Sequence, residues 1–156
     1  MLNQHTPSTD ALRRCGTAPS DPNAWDRLGL ILMAAGAHKL AQAAFGQAEA
    51  LAPAAVDFAL HGIEAATALG TLAEILPTLE VRCEADPLNL ATHIARGVAF
   101  ERLGRHDEAL DALEIATVLA PDAALPATLL GGILARSNRL QEAEAALRRA
   151  YDLTGC

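Results

Sequence analysis

Aromatic side chains make up only 3% of this 156-residue chain, and β-branched residues are few. A chain so short of the residues that fill pleated sheets reads as all-α. The apolar share of 51% is carried largely by alanine and leucine, which favour helices, and alanine lets helices approach closely. Alanine richness of this kind also fits a GC-rich bacterial genome. Basic residues are scarce too: 12 Lys and Arg stand against 19 Asp and Glu, for a net charge of -7. Only Arg13-Arg14 and Arg148-Arg149 adjoin one another. Nucleic-acid binding draws its affinity from clustered cations that displace phosphate counterions, so nucleic acid and anionic membrane surfaces are excluded as partners.

Cysteine is sparse: Cys15, Cys83 and Cys156 are far apart and form no Cys-x-x-Cys spacing. This argues against a disulfide framework or a zinc site and fits a reducing, cytoplasmic setting. Long apolar runs are missing. The longest uncharged stretch, Ala123 to Ala135, contains Pro126, Gly131 and Gly132 and falls short of the ~18 apolar residues of a membrane span. The start, Met1-Leu2-Asn3-Gln4-His5, has neither the basic nor the apolar region of a signal peptide. No membrane insertion is expected.

What is present is periodicity. Pro53, Pro87 and Pro121 stand 34 residues apart, and Pro19 extends the series backwards. Gly36, Gly70 and Gly104 recur at the same interval, with Asn138 in the next slot. Proline stands where a helix cannot continue, and Gly or Asn tolerates the left-handed conformation that closes one. Each unit therefore reads as helix, tight turn, helix, stop.

The side chains between these marks carry a family resemblance. The first unit reads Trp25-x-x-Leu28-Gly29-x-x-Leu32, then Ala41-x-x-x-Phe45-x-x-Ala48 and Pro53. The third gives Gly97, Phe100, Gly104, Ala109, Leu113, Ala116 and Pro121; the fourth gives Leu130-Gly131, Leu134, Ala143, Leu147 and Ala150. With its 34-residue period this resembles the tetratricopeptide repeat (TPR). The resemblance covers Pro22 to Cys156 and implies a right-handed α-solenoid of antiparallel helix pairs, with about four units at 22–55, 56–89, 90–123 and 124–156. Gly29, Gly97 and Gly131 are expected to let the first helix of a pair press on the second, where Phe45, Leu113 and Leu147 fill the space.

The unit at 56–89 is degenerate. It has Ile63 in the glycine slot and Ile75 and Arg82 in the two alanine slots. Thr71-x-x-Glu74 offers a capping box, and Pro77 predicts a kink near Leu76-Pro77 or a helix that starts there. Residues 1–21 are expected to be a tail, disordered over Met1 to Pro7. Two readings are open for Thr9 to Gly16: a short helix that caps the first repeat, or a frayed segment. At the other end Gln141, Glu142, Arg148, Arg149 and Asp152 are expected to solvate the outward side of the last helix; failing that, the terminal repeats would self-associate.

In TPR proteins the first helices line a concave groove. Carried over by position, this places Asn23, Asp26, Leu30 and Met33 of the first unit in a partner-binding groove. Asp57, Leu60, Glu64 and Ala68 follow from the second unit. The third gives Ala91, Ile94, Val98, Glu101 and Arg102, and the fourth Leu125, Thr128, Gly132 and Arg136. Leu60 and Ile94 are the expected central anchors. One TPR subgroup grips acidic chaperone tails with a clamp of lysines, asparagine and arginine. Here those positions hold Asp26, Leu30, His61, Ala91 and Ala95, and none supplies the cation or amide. The implied guest is instead a peptide or amphipathic helix with apolar anchors, its basic residues matching Asp26, Asp57 and Glu64.

Reaction chemistry is not in evidence. His61 and Glu64 share one helix face, yet two ligands do not make a metal site; His93 stands in a packing slot. Cys83 has no base near it in sequence and reads as an inert thiol. Gly131-Gly132 lacks the Lys-Ser/Thr of a phosphate loop. The acids Asp107, Glu108, Asp111 and Glu114 read as a solvated helix face. The expectation is a non-enzymatic, cofactor-free adaptor that binds another protein. The chain is also similar to the small TPR chaperones of type III secretion, and to TPR modules that regulate or target enzymes such as glycosyltransferases.

Overall fold

A computed structural model describes residues 20–155. These residues form eight helices and no strand: α1 (Pro22–Ala34), α2 (His38–Leu51), α3 (Val56–Leu69), α4 (Leu72–Ala85), α5 (Leu90–Arg102), α6 (His106–Leu119), α7 (Ala124–Arg136) and α8 (Leu140–Thr154). The capping segment Thr9 to Gly16 and the tail Met1 to Pro7 lie outside the described residues. Among the described residues no helix is long and apolar enough to cross a membrane.

The 34-residue series sets the helix ends. Gly36, Gly70 and Gly104 have φ of 74°, 72° and 75°, and Asn138 has 60°. At each, the amide of the residue that follows folds back onto a carbonyl of the preceding turn. Ala37 donates to Leu32 (2.9 Å), Thr71 to Ala66 (3.0 Å), Arg105 to Phe100 (2.9 Å) and Arg139 to Leu134 (2.9 Å). This Schellman closure satisfies carbonyls that a helix end leaves unpaired. Pro53, Pro87 and Pro121 each follow the end of α2, α4 and α6 by two residues.

Helix starts vary more. Asp21 accepts from the Asn23 amide at 2.9 Å, with Pro22 in the first helical position, and Asn89 accepts from Thr92 at 3.1 Å. The capping box expected at Thr71 is not formed, since its hydroxyl is buried without a hydrogen-bond partner. At two later helix starts an ion pair spans the same positions. Arg105 Nε donates to Glu108 at 2.9 Å, and Arg139 grips Glu142 with both Nε (2.8 Å) and Nη2 (2.6 Å). α4 begins at Leu72 and runs on through Pro77, so the proline does not start the helix.

The chain groups into two compact units, one ending at Leu72 and the other beginning at Ala73. In the first unit α1, α2 and α3 enclose Leu28, Leu32, Ala41, Ala44, Phe45 and Ala65, with Trp25, Ile31 and Met33 packed against them. A methyl group placed on Gly29 would come within 2.7 Å of three Phe45 ring atoms. The bare α1 backbone is thus what admits the ring. In the second unit Gly97 faces Leu113 and Gly131 faces Leu147, where a methyl would lie 2.7 and 2.6 Å from the respective Cγ atoms. Ala109, Leu113 and Ala116 are fully buried, so α5 and α6 approach across small residues on one side and a leucine knob on the other.

Candidate protein-binding faces

In the first unit a side-chain bond ties α1 to α3. His61 Nδ1 lies 2.6 Å from Asp26 Oδ1, and the imidazole packs on Phe45 with ring centroids 5.3 Å apart. That contact sets the groove-assigned faces of the two helices side by side. Asn23 and Leu30 stand one turn either side of Asp26, and both are exposed. Asp57 and Glu64 flank His61 in the same way. Asp57, Glu64 and Ala68 are exposed, as is Leu30, while Leu60 and Met33 are half-buried.

Asp26 departs from expectation. Only 13% of its side chain is exposed, and its carboxylate already answers His61, so it is not available to a guest cation. His61 is thus not a free surface group. Among the described residues no three His, Cys, Asp or Glu side chains converge as metal ligands.

The second unit offers α5 and α7. Arg136 Nη2 meets Glu101 Oε1 at 2.8 Å, joining two groove-assigned residues to each other. The Arg136 guanidinium lies 3.9 Å from where a methyl on Gly132 would stand. The side chain folds back along its own helix toward the preceding turn, over a residue with no side chain to obstruct it. Leu125 and Arg102 are exposed, while Val98 is half-buried. The Thr128 hydroxyl donates to the Ala124 carbonyl at 2.9 Å.

Two residues expected in this face serve the interior instead. Ala91 is fully buried and Ile94 is 1% exposed, because the first turns of α5 are covered on all sides from Ala91 to Ala95. Ile94 is therefore a core residue, and replacing it would test folding rather than binding.

Sequence reasoning passed over a second cluster. Leu28 and Leu130 belong to a 34-residue series whose third member is Arg96. Arg96 and Arg105 both lie over the Phe100 ring, at 5.3 and 4.6 Å from its centroid, an attraction between cation and ring face. Arg96 also acts electrostatically on Cys83. Burial pushes the Cys83 thiol up, against the opposing pull of Arg96 and Arg82, so the sulfur is held in its unreactive, protonated form. The buried His93 places Nε2 2.9 Å from the Pro87 carbonyl, as its packing slot implied.

On α8 the residues expected to solvate the outward side, Gln141, Glu142, Arg148, Arg149 and Asp152, are all exposed. Arg148 pairs with Glu144 at 2.6 Å, and Arg149 donates to the Pro121 carbonyl at 2.9 Å.

Comparison with known proteins agrees with this geometry. A tetratricopeptide-repeat family model matches residues 78–124 and, overlapping, 94–155. No curated protein matches the chain. Among solved structures, TTC0263, a thermophilic TPR protein of Thermus thermophilus, superposes with a TM-score of 0.72 at 24% identity, covering 94% of this chain and 80% of that one. MamA from Desulfovibrio magneticus RS-1, from residue 41 to its end, gives 0.63 at 19% identity, covering 94% and 90%. MamA of AMB-1 gives 0.57 at 26% identity, covering 86% and 74%. These likenesses show the fold, an all-helical solenoid of helix pairs.

Proposed function

We infer the function from one premise: the chain belongs to the tetratricopeptide-repeat family. Proteins built on this fold serve as protein–protein interaction modules. We propose that this one is an adaptor, and that a first-helix face within a unit takes a peptide or amphipathic helix as its guest. The observation that carries the reading is a pair of exposed leucines at groove-assigned positions. Leu30 on α1 is 43% exposed and Leu125 on α7 is 40% exposed, and neither belongs to the core of its unit. Isolated exposed leucines are unremarkable. Each stands on a first helix of its own unit, beside polar side chains able to orient a guest. The charged outward side of α8, with its own Arg148–Glu144 pair, favours a solvated end over the stacking of copies.

The test is affinity capture of the tagged full chain from its native cells, followed by calorimetry with the purified client. Leu30→Asp combined with Leu125→Asp is expected to abolish client binding and leave the helical circular dichroism spectrum unchanged. Binding at full strength by the double variant would remove the first-helix faces from consideration. The client's character then chooses between a scaffold and a secretion-type chaperone: a client that is insoluble alone and soluble in the complex marks the chaperone.

A further inference from the structure

The faces just described differ in charge, and the difference identifies the chemistry of the guest; the inference rests on the protein-binding reading and extends it. On the first unit Asp57 and Glu64 stand one turn to either side of His61, and both are exposed. Among the described residues neither has an ion-pair partner. α3 contains no Lys or Arg. The one cation of α1, Arg27, lies 3.7 Å from Asp21. The remaining acid of this face, Asp26, is already bound to His61. In the second unit the acid of the corresponding face, Glu101, is answered by Arg136. The first unit thus presents two uncompensated carboxylates against the apolar ground of Leu30, Leu60 and Met33.

A purely apolar guest would have to strip water from those carboxylates with nothing to replace it, an expensive step. An acidic guest would add repulsion. We propose that the α1–α3 face of the first unit binds a basic amphipathic segment of a partner protein. Its apolar side chains sit on Leu30, Leu60 and Met33, and its Lys or Arg residues reach Asp57 and Glu64. Such contacts are partly solvated, so each contributes modestly, and they set specificity and salt dependence more than total affinity.

Two labelled synthetic amphipathic peptides test this against the full chain by fluorescence anisotropy. They share one leucine pattern and carry either Lys or Glu at the polar positions. The Lys peptide is expected to bind at least about tenfold more tightly than the Glu peptide and to weaken as NaCl is raised. Asp57→Asn with Glu64→Gln is expected to reduce its affinity about three- to tenfold and to flatten the salt dependence. Asp111→Asn with Asp122→Asn makes the same change in net charge on the second unit and is expected to leave the affinity unchanged. Equal binding of the two peptides, binding of neither, or equal sensitivity to both double variants overturns the charge assignment. The adaptor reading has its own readout: a captured client that depends on Leu30 and Leu125 stands even if the Lys peptide fails.

Discussion

The two units share one 34-residue template and differ in what they leave unsatisfied. The first seats an aromatic ring, Phe45, against the bare backbone of Gly29; the second meets the same requirement with leucines, Leu113 and Leu147. The first leaves Asp57 and Glu64 without counter-ions on its candidate binding face. The second closes Glu101 with Arg136 and ties two helix starts with Arg105–Glu108 and Arg139–Glu142. The lesson is one of separability. Small residues at the helix contacts and left-handed residues at the turns are fixed by sterics, whereas surface charge varies from unit to unit and is where partner choice can be written.

The sharpest way to break the comparison is to add one methyl group at equivalent glycines. Gly29→Ala drives a Cβ into a ring that is 1% exposed and cannot move aside. A loss of about 1–3 kcal/mol in urea-unfolding free energy is expected, the usual cost of overpacking. Gly131→Ala meets Leu147, which is 42% exposed and can swing outward. The Ala143 carbonyl, 3.3 Å from the new methyl, stays in place, but the gain in helix propensity, about 1 kcal/mol, offsets part of the cost, and a smaller loss than at Gly29 is expected. Equal losses at the two sites would mean that Leu147 is as confined as Phe45.

A smaller effect sharpens the electrostatic half. Glu101→Gln removes the counter-ion of Arg136. Because the Arg136 side chain is 55% exposed, the expected stability change is under about 1 kcal/mol. The larger consequence is a newly uncompensated cation on the second unit, so the variant should gain affinity for the Glu peptide and leave the Lys peptide bound at the first unit. Unchanged binding of the Glu peptide would mean that Arg136 lies outside any guest's reach.

The smallest effect is with pH. Hydrogen bonds from Arg105 and Arg139 hold the Glu108 and Glu142 carboxyls below the usual carboxylate range. A carboxyl depressed in the folded state contributes stability that is present above its unfolded value and is lost as pH falls through the folded value. The first turns of α6 and α8 should therefore loosen in acid, visible as faster amide exchange there. The start of α2, where Ala37 and Leu40 occupy the equivalent positions, should lack this component. Glu108→Gln and Glu142→Gln should erase it.

Much of the fold was legible because it rests on residues with few alternatives. Gly36, Gly70, Gly104 and Asn138 announce left-handed closures that most other residues reach only with strain. Gly29, Gly97 and Gly131, each paired with a large residue one helix later, announce the close approaches. The candidate faces were less legible, since periodicity gives the direction of a helix face but not how wide an arc its neighbours cover. Ile94 was assigned to the same face as the exposed Leu125, yet α5 is buried all round from Ala91 to Ala95. Asp26 turns to His61, thirty-five residues away, and nothing local in either segment signals that bond. Thr71-x-x-Glu74 has the letters of a capping box, but burial leaves the hydroxyl without a partner. Arg96 stands where the first and fourth units carry Leu28 and Leu130, and needed only to be read across the repeats.

The four closures have a use beyond architecture. Ala37, Thr71, Arg105 and Arg139 carry amides in the same local geometry, each bonded to a carbonyl at 2.9 to 3.0 Å and spaced 34 residues apart along the chain. Since the geometry is constant, differences in how long each hydrogen survives exchange with solvent report how readily the surrounding turn opens. The chain carries a ruler of matched clocks, and reading them with and without a guest would show which turns the guest holds shut.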